Sequence, residues 1–496
     1  MATYTKIAFH GAATVFILAL IAAFLSYIVR LVLARNLAIE DFGLFYAVFS
    51  FLAFIGVFKT LGFDKAIIRF IPELLAKKKE SLAKSAIHYA FFIAIATNAI
   101  IIALVFFASS FLSTYFFHTD KARTILLMLS LAFFAESLYV IAKNTFQGLK
   151  RMFLFSSIDI ARFFFILIFL AFGFYWSDSI IIPCLAYLSA TLLSFFLYFM
   201  WLKTKIFPRW SKYSFSFDKK LFKRMLKYGI IVISTGTSVS FLGYTDSMLL
   251  TYFSGLKAVA LYNVALPLAK LFLFIGSAIS SILLPLVAEL YASKKIQLMK
   301  DGLSSIYKYV AIAVLPGMAV LLLYADLVIT LFFGKEFIPA SIALQILSIG
   351  MLFGILQLIQ AHFFMGINKP KIYAKIFFIG CLVNFGIGII LVPLFNILGA
   401  AITISISYFI MAYFGMHSIR NYCRVSFPWN TWLRTVLATA IFIVTMALLK
   451  HIIIAQVYLE AIIVVSISGL VYAGSLFLFS VLSIQEIKTV LKRIRT

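Results

Sequence analysis

A helix needs about twenty consecutive apolar residues to cross the hydrocarbon of a bilayer. This 496-residue chain supplies such runs fourteen times. They lie near 12–34, 43–63, 85–108, 124–147, 155–176, 179–202, 228–252, 259–286, 305–325, 338–365, 372–393, 397–418, 431–451 and 457–482. Backbone groups in hydrocarbon must be satisfied within the protein, so long continuous runs commit the chain to an all-α integral membrane bundle. Composition agrees: 64% of residues are hydrophobic and 12% charged, against about 25% charged in a soluble domain. The first run exceeds a signal core and lacks an obvious small-residue cleavage site, so it reads as a retained helix. The least distinct division is 155–202, where only Trp176-Ser177-Asp178-Ser179 separates two spans.

A net charge of +26 would point to nucleic acid in a soluble chain. Here topology accounts for it, because cytoplasmic loops collect Lys and Arg. With the N-terminus inside, 33 of the 43 Lys and Arg fall toward the cytoplasmic side and seven toward the outer side, Arg30 near the outer end of the first span among them, leaving Lys59, Arg162 and Lys270 deeper within spans. The expectation is a multi-pass protein of the cytoplasmic membrane with both termini cytoplasmic, surrounded by membrane lipids and without a nucleic-acid partner. Cys184, Cys381 and Cys423 are isolated and the six histidines scattered, so neither a disulfide framework nor a metal site is expected. No G-x-x-x-x-G-K-[ST] loop or G-x-S-x-G elbow occurs. The chain reads as a mover of a substrate rather than a chemist, with no cofactor.

Residues 203–227 carry the longest basic segment and mark a lobe boundary. Leu221, Phe222, Met225 and Leu226 share one helical face, ringed by Lys219, Lys220, Lys223, Arg224 and Lys227. That pattern suits both an interfacial helix on an anionic leaflet and an ordinary positive-inside linker. An internal repeat is also legible. Glu73-Leu74, Ala76, Lys78-Lys79, Leu82 and Lys84 recur as Glu289-Leu290, Ala292, Lys294-Lys295, Leu298 and Lys300. Phe146-Gln147-Gly148-Leu149-Lys150-Arg151 parallels Phe364-Met365-Gly366-Ile367-Asn368-Lys369. An even number of spans separates the copies, which makes the halves parallel repeats. The expected organisation is an N-lobe over 1–202, a basic amphipathic cytoplasmic linker over 203–227, a C-lobe over 228–420, and two further spans with a basic tail over 421–496.

Cations inside spans constrain function most. A cation at the bilayer centre costs about 2.5–3.5 kcal/mol on insertion scales. Arg30 and Lys59 sit on consecutive spans, and either they face a wet cavity for an anionic group or they snorkel to a surface. Asn263, Lys270 and Ser277 form one stripe on span 8, which Pro267 is placed to break. Span 7 carries Ser234-Thr235-Gly236-Thr237-Ser238 and Asp246. By the repeat, Arg30, Lys59, Asp246 and Lys270 would surround one central cavity. Glu136, Asp159 and Arg162 form a second group, with Asp159 and Arg162 spaced to pair on their own helix. A buried structural ion pair and a relay through Glu136 are both open there. Gln357 and Gln360 suit either a cavity lining or interhelical hydrogen bonds.

Several motifs carry a family likeness. Arg35 with Leu37-Ala38 and Asp41-Phe42-Gly43-Leu44-Phe45, then Arg69-Phe70-Ile71-Pro72-Glu73, and later Leu261-Tyr262-Asn263 with Pro285 and Glu289, are among them. Phe364 to Pro370, Asn384 and Leu398-Gly399-Ala400-Ala401 complete the set. Together they resemble the Wzx-like polysaccharide-export flippases of the multidrug/oligosaccharidyl-lipid/polysaccharide superfamily. The resemblance implies two six-helix lobes working by alternating access on a polyprenyl-phosphate- or pyrophosphate-linked saccharide, moved from the cytoplasmic to the outer leaflet. In that setting Arg30, Lys59 and Lys270 would neutralise phosphate, and Asp246, Asn263, Gln357 and Glu136 would contact sugar, water or an ion. Arg35 and Asp41 would form an outer gate. The expected partner is the lipid-linked glycan, with the protein a monomer and a glycan polymerase or transferase complex a candidate associate. The competing expectation is a cation-coupled multidrug exporter of the same fold. A membrane glycosyltransferase fits poorly, because every outer loop is short.

Overall fold

The computed structural model describes residues 2–206, 216–423, 427–453 and 456–483. Fifteen α-helices occur among them. In order they are α1 (Ala2–Asn36), α2 (Ile39–Ile55), α3 (Phe63–Ala76), α4 (Glu80–Tyr115), α5 (Lys121–Gly148), α6 (Met152–Trp176), α7 (Ile181–Trp201) and α8 (Lys219–Phe253). They continue as α9 (Leu256–Lys270), α10 (Leu273–Ala292), α11 (Ile296–Phe332), α12 (Ser341–Gly366), α13 (Pro370–Ile419), α14 (Trp429–Ile452) and α15 (Val457–Leu478). Twelve described segments are long and apolar enough to cross a membrane. The 50-residue α13 is interrupted at Asn396 (φ 50°, ψ −126°), and each half is long enough to span. With the 35-residue α8, these account for the fourteen expected spans.

The chain divides into two compact units, 1–260 and 261–496. In the first, α5 is the central helix, flanked by α2, α3, α4 and α7, while α1 lies along α6. In the second, α12 is central between α10, α11 and α13, and α14 and α15 pair beside α11. The division falls later than the basic segment. α8 packs on α2 and α3, and Leu221 and Met225 are buried with Phe63, Phe70 and Tyr89 rather than turned to lipid. Residues 207–215 of the expected linker, Arg424 and the tail from 484 lie outside the described residues, as do the side chains of Ser234, Thr235 and Ser238.

Two expected spans are not continuous. The second stops at Ile55, passes through a 3₁₀ turn at Gly56–Phe58, and resumes as α3. Leu61 (φ 43°) and Gly62 (φ 72°) take left-handed backbone there. A Cβ on Gly62 would lie 2.5 Å from the Gly229 carbonyl oxygen, so glycine is required for conformation and for the close approach of α8. The eighth span breaks after Lys270, three residues past Pro267, through the i→i−3 bonds Leu271 N–Leu268 O and Phe272 N–Ala269 O.

The repeat is visible in the caps. α3 and α10 end with Lys78 and Lys294 in left-handed backbone, and α5 and α12 with Lys150 and Asn368. In each, the next residue's N–H bonds back five positions: Lys79 to Leu74, Lys295 to Leu290, Arg151 to Phe146 and Lys369 to Phe364. This is the Schellman closure of a helix C-terminus, repeated at the offsets the sequence shows.

Candidate functional site

The break in the second span would expose backbone groups at membrane depth, where an unsatisfied carbonyl costs several kcal/mol. Neighbouring helices supply the partners. Thr97 Oγ1 and Asn98 Nδ2 of α4 donate to the Lys59 carbonyl at 2.6 and 2.9 Å, and Asn98 also donates to Ser137 Oγ on α5. Beyond the break, Thr60 Oγ1 donates to Asp64 Oδ1, and Asn144 of α5 donates to the backbone and side chain of Asp64. The break is a built feature, and it fixes where Lys59 points.

Lys59 Nζ donates to Glu136 Oε2 at 2.9 Å. Arg162 Nη1 reaches the other carboxylate oxygen at 3.5 Å. Two cations from different segments therefore share one acid, leaving a surplus positive charge within a partly buried cluster. Arg162 also lies 4.9 Å from the rings of Tyr139 and Phe163. Its Nε is buried without a hydrogen-bond partner. Beside it is a small cavity of about 30 Å³, lined by Phe49, Phe133, Glu136, Arg162, Tyr187 and Thr191 among others. Arg30 of α1 sits 4.2 Å over the Tyr46 ring. Tyr46 contacts Phe45 and Phe49, and both of those contact Tyr187. Arg30 and the Lys59–Glu136–Arg162 cluster are thus joined by one aromatic wall.

The two groups kept apart in the sequence reading, Lys59 and Glu136–Arg162, are one. The expected Asp159–Arg162 pair does not form. Asp159 instead accepts from Lys143 Nζ at 2.5 Å and, in a short bond, from the Tyr139 hydroxyl. One helical turn of spacing makes a pair possible, but facing helices offered each charge a better-placed partner. Asp41 binds Lys121 Nζ at 3.1 Å, tying α2 to the start of α5, and only Leu37 and Ala38 separate α1 from α2. Arg35 lies in the last turn of α1 on an exposed position. Asp246 on α8 is buried.

In the second unit, Asn263 is buried within α9 and Lys270 is its last residue, half-buried at the break. Gln357 donates to the Tyr373 hydroxyl in a short bond, and Gln360 donates to the Ala412 carbonyl at 3.0 Å. Both glutamines thereby stitch α12 to α13. Among the described residues no group of three or more His, Cys, Asp or Glu could hold a metal ion. Thr97, Asn98, Asn144, Lys143 and Tyr139 were not singled out from sequence. Their one signal is polarity inside apolar runs, which Ser and Thr throughout the chain share.

Such an arrangement can neutralise an anion and bond to hydroxyls. The chain is 28% identical to "Uncharacterized membrane protein MJ1068" of Methanocaldococcus jannaschii, with 96% of each chain covered. It is 22% identical to "Probable low-salt glycan biosynthesis flippase Agl15" of Haloferax volcanii over 44% of this chain and 47% of that one. Among solved structures, "Lipid II flippase MurJ, inward closed conformation" superposes with a TM-score of 0.75 at 17% identity, covering 94% of this chain and 97% of that one, which establishes the shared fold. The MatE family profile matches residues 232–390. The polysaccharide biosynthesis protein profile matches residues 9–291, more than half the chain, and the chain belongs to that family.

Proposed function

We propose that this protein is a flippase that carries a polyprenyl-phosphate- or pyrophosphate-linked oligosaccharide from the cytoplasmic to the outer leaflet by alternating access. The observation that carries the reading is the charge balance beside the broken second span. Lys59 and Arg162 share the single carboxylate of Glu136, and Arg30 adds a further cation along the same aromatic wall. The surplus positive charge suits a phosphate that must lose part of its hydration. Lys270, beside the break in the eighth span, supplies the matching cation in the second half, and Asp246 and Asn263 bond to sugar hydroxyls or water. Lysine offers point charge rather than a bidentate fork, which suits a headgroup that changes orientation in transit. The basic loops face the cytoplasm, and the protein acts as a monomer, open to a glycan polymerase or transferase as associate.

The names of the relatives support this reading: one similar protein is called a glycan biosynthesis flippase and one of like fold a lipid II flippase. The MatE match supports a second reading, a cation-coupled drug exporter. That reading calls on Asp246 and Glu136 as essential acids, and of these Glu136 is held by two cations. The test is transport of a fluorescent polyprenyl-pyrophosphate glycan in proteoliposomes. Arg30→Ala, Arg162→Ala and Lys270→Ala are each expected to lower the rate at least tenfold with the protein folded. Wild-type rates in all three, or transport of organic cations in preference to the lipid, would refute it.

A further inference from the structure

The second unit contains a cavity of about 880 Å³ whose lining includes none of Arg30, Lys59, Glu136, Arg162 and Lys270. It is formed where α11 ends and where α14 gives way to α15, and its lining includes Tyr324, Asp326, Lys450, Gln456, Tyr458 and Glu460. With the basic loops inside, this is the outer mouth of the unit. Its floor is a packed apolar cluster containing Phe442, Met446, Val464 and Leu327, so the polar lining stands on rigid helices.

Three features define what fits. Asp326 and Glu460 make no ion pair with any described residue within 4 Å, so two carboxylates are open acceptors. Lys450 Nζ lies 5.1 Å from the Tyr324 ring, occupying the face that a cationic ligand would otherwise use. Tyr324 is only 5% exposed, its backbone leaves helical values (φ −118°, ψ 22°), and its hydroxyl has no hydrogen-bond partner. A buried hydroxyl without a partner is costly, and α11 bends where it occurs.

The charge set selects by exclusion. An anion meets two carboxylates. A cation meets two carboxylates that attract it and Lys450, which repels it and covers the Tyr324 face, so the lining is of mixed sign. A metal ion would leave most of the volume unfilled, since sites for drug-sized ligands run to about 300–1,000 Å³. A neutral, hydroxyl-rich ligand meets open carboxylates that accept O–H bonds, an amide and an ammonium that donate, and the exposed Tyr458 ring to cover a sugar face. We infer that this cavity is a saccharide-binding site on the outer side of the second unit, which holds the sugar chain of the glycan after delivery. The inference rests on the flippase reading for the identity of the ligand, and on the cavity alone for its chemistry.

The test uses the full-length protein in nanodiscs. The probe is the water-soluble oligosaccharide pool released by mild acid from the lipid-linked glycans of the cells that make the protein, read by saturation-transfer NMR and competition. Saturable binding is expected, weakened at least tenfold in Asp326→Asn/Glu460→Gln. Both positions are on the rim, and an unchanged melting temperature shows that the variant folds. Arg30→Ala should lose transport yet keep saccharide binding. Absence of binding, equal binding by the double variant, or tighter binding of tetraphenylphosphonium or pyrophosphate than of the glycan overturns the inference. Transport without saccharide binding would sink this site and leave the flippase reading intact. Saccharide binding without transport would do the reverse.

Discussion

Glu136→Gln is the most informative single change, because one carboxylate serves two cations. At 2.9 Å the Lys59 attraction is worth about 6 kcal/mol for an effective dielectric of 20 and about 1.4 kcal/mol in bulk water. At 3.5 Å the Arg162 attraction spans about 5 to 1.2 kcal/mol on the same scale. The three side chains are 16–26% exposed, between those limits, and the desolvation of Glu136 offsets part of the gain. Removing one partner of a buried pair typically costs about 3–5 kcal/mol, and here it also leaves two like charges facing each other. Lys59→Met is the control, since it leaves Glu136 and Arg162 as a balanced pair and should cost less. With an unfolding entropy of about 2.1 cal/mol/K per residue, 3–5 kcal/mol lowers the melting temperature by about 3–9 °C, the larger value applying if the first unit unfolds alone. The three buried free cysteines provide the assay, because a thiol-reactive dye reports their exposure on heating. A Glu136→Gln melting temperature within a degree of wild type, or a larger loss in Lys59→Met than in Glu136→Gln, would refute the reasoning.

Other expectations follow from single contacts. Gly62→Ala forces a side chain into left-handed backbone, worth about 1–2 kcal/mol, and presses it on the Gly229 carbonyl at 2.5 Å; the same dye assay should show a loss beyond that figure, with Gly62→Asn milder than Gly62→Val. Thr97→Val/Asn98→Leu strips the Lys59 carbonyl of both side-chain donors, and a destabilisation of about 1–3 kcal/mol is expected, while either single change leaves one donor and costs less. At the basic face, Lys77 and Arg224 bond Glu73 and hold its carboxyl down at about 2. A depressed pKa contributes stability that is present above the ordinary carboxylate value near 4.5 and is lost as pH falls through about 2. Hydrogen-exchange protection at the start of α8, taken relative to the intrinsic rate at each pH, should therefore be high at pH 5 and fall toward pH 2, whereas Glu73→Gln should already be poorly protected at pH 5.

What the sequence determined by itself is what nearest neighbours along the chain control. Run length set the spans, including the thin division at Trp176–Ser179, which the structure keeps as the gap between α6 and α7. The internal repeat was equally legible, because helix ends are local: Lys78 and Lys294, Lys150 and Asn368 adopt the same left-handed cap in both copies. The tertiary structure alone decided which charges meet. Lys59 and Glu136 are 77 positions apart, and no periodicity links a lysine in one apolar run to a glutamate in another. Asp159 had a plausible partner three residues away and took Lys143 and Tyr139 from the facing helix instead. The broken second span was hidden for the same reason, since its apolar run is continuous and the donors that make the break affordable, Thr97 and Asn98, come from a different helix. In hydrocarbon a polar group is stable only where its partner is, and that partner's position is a property of the packed bundle.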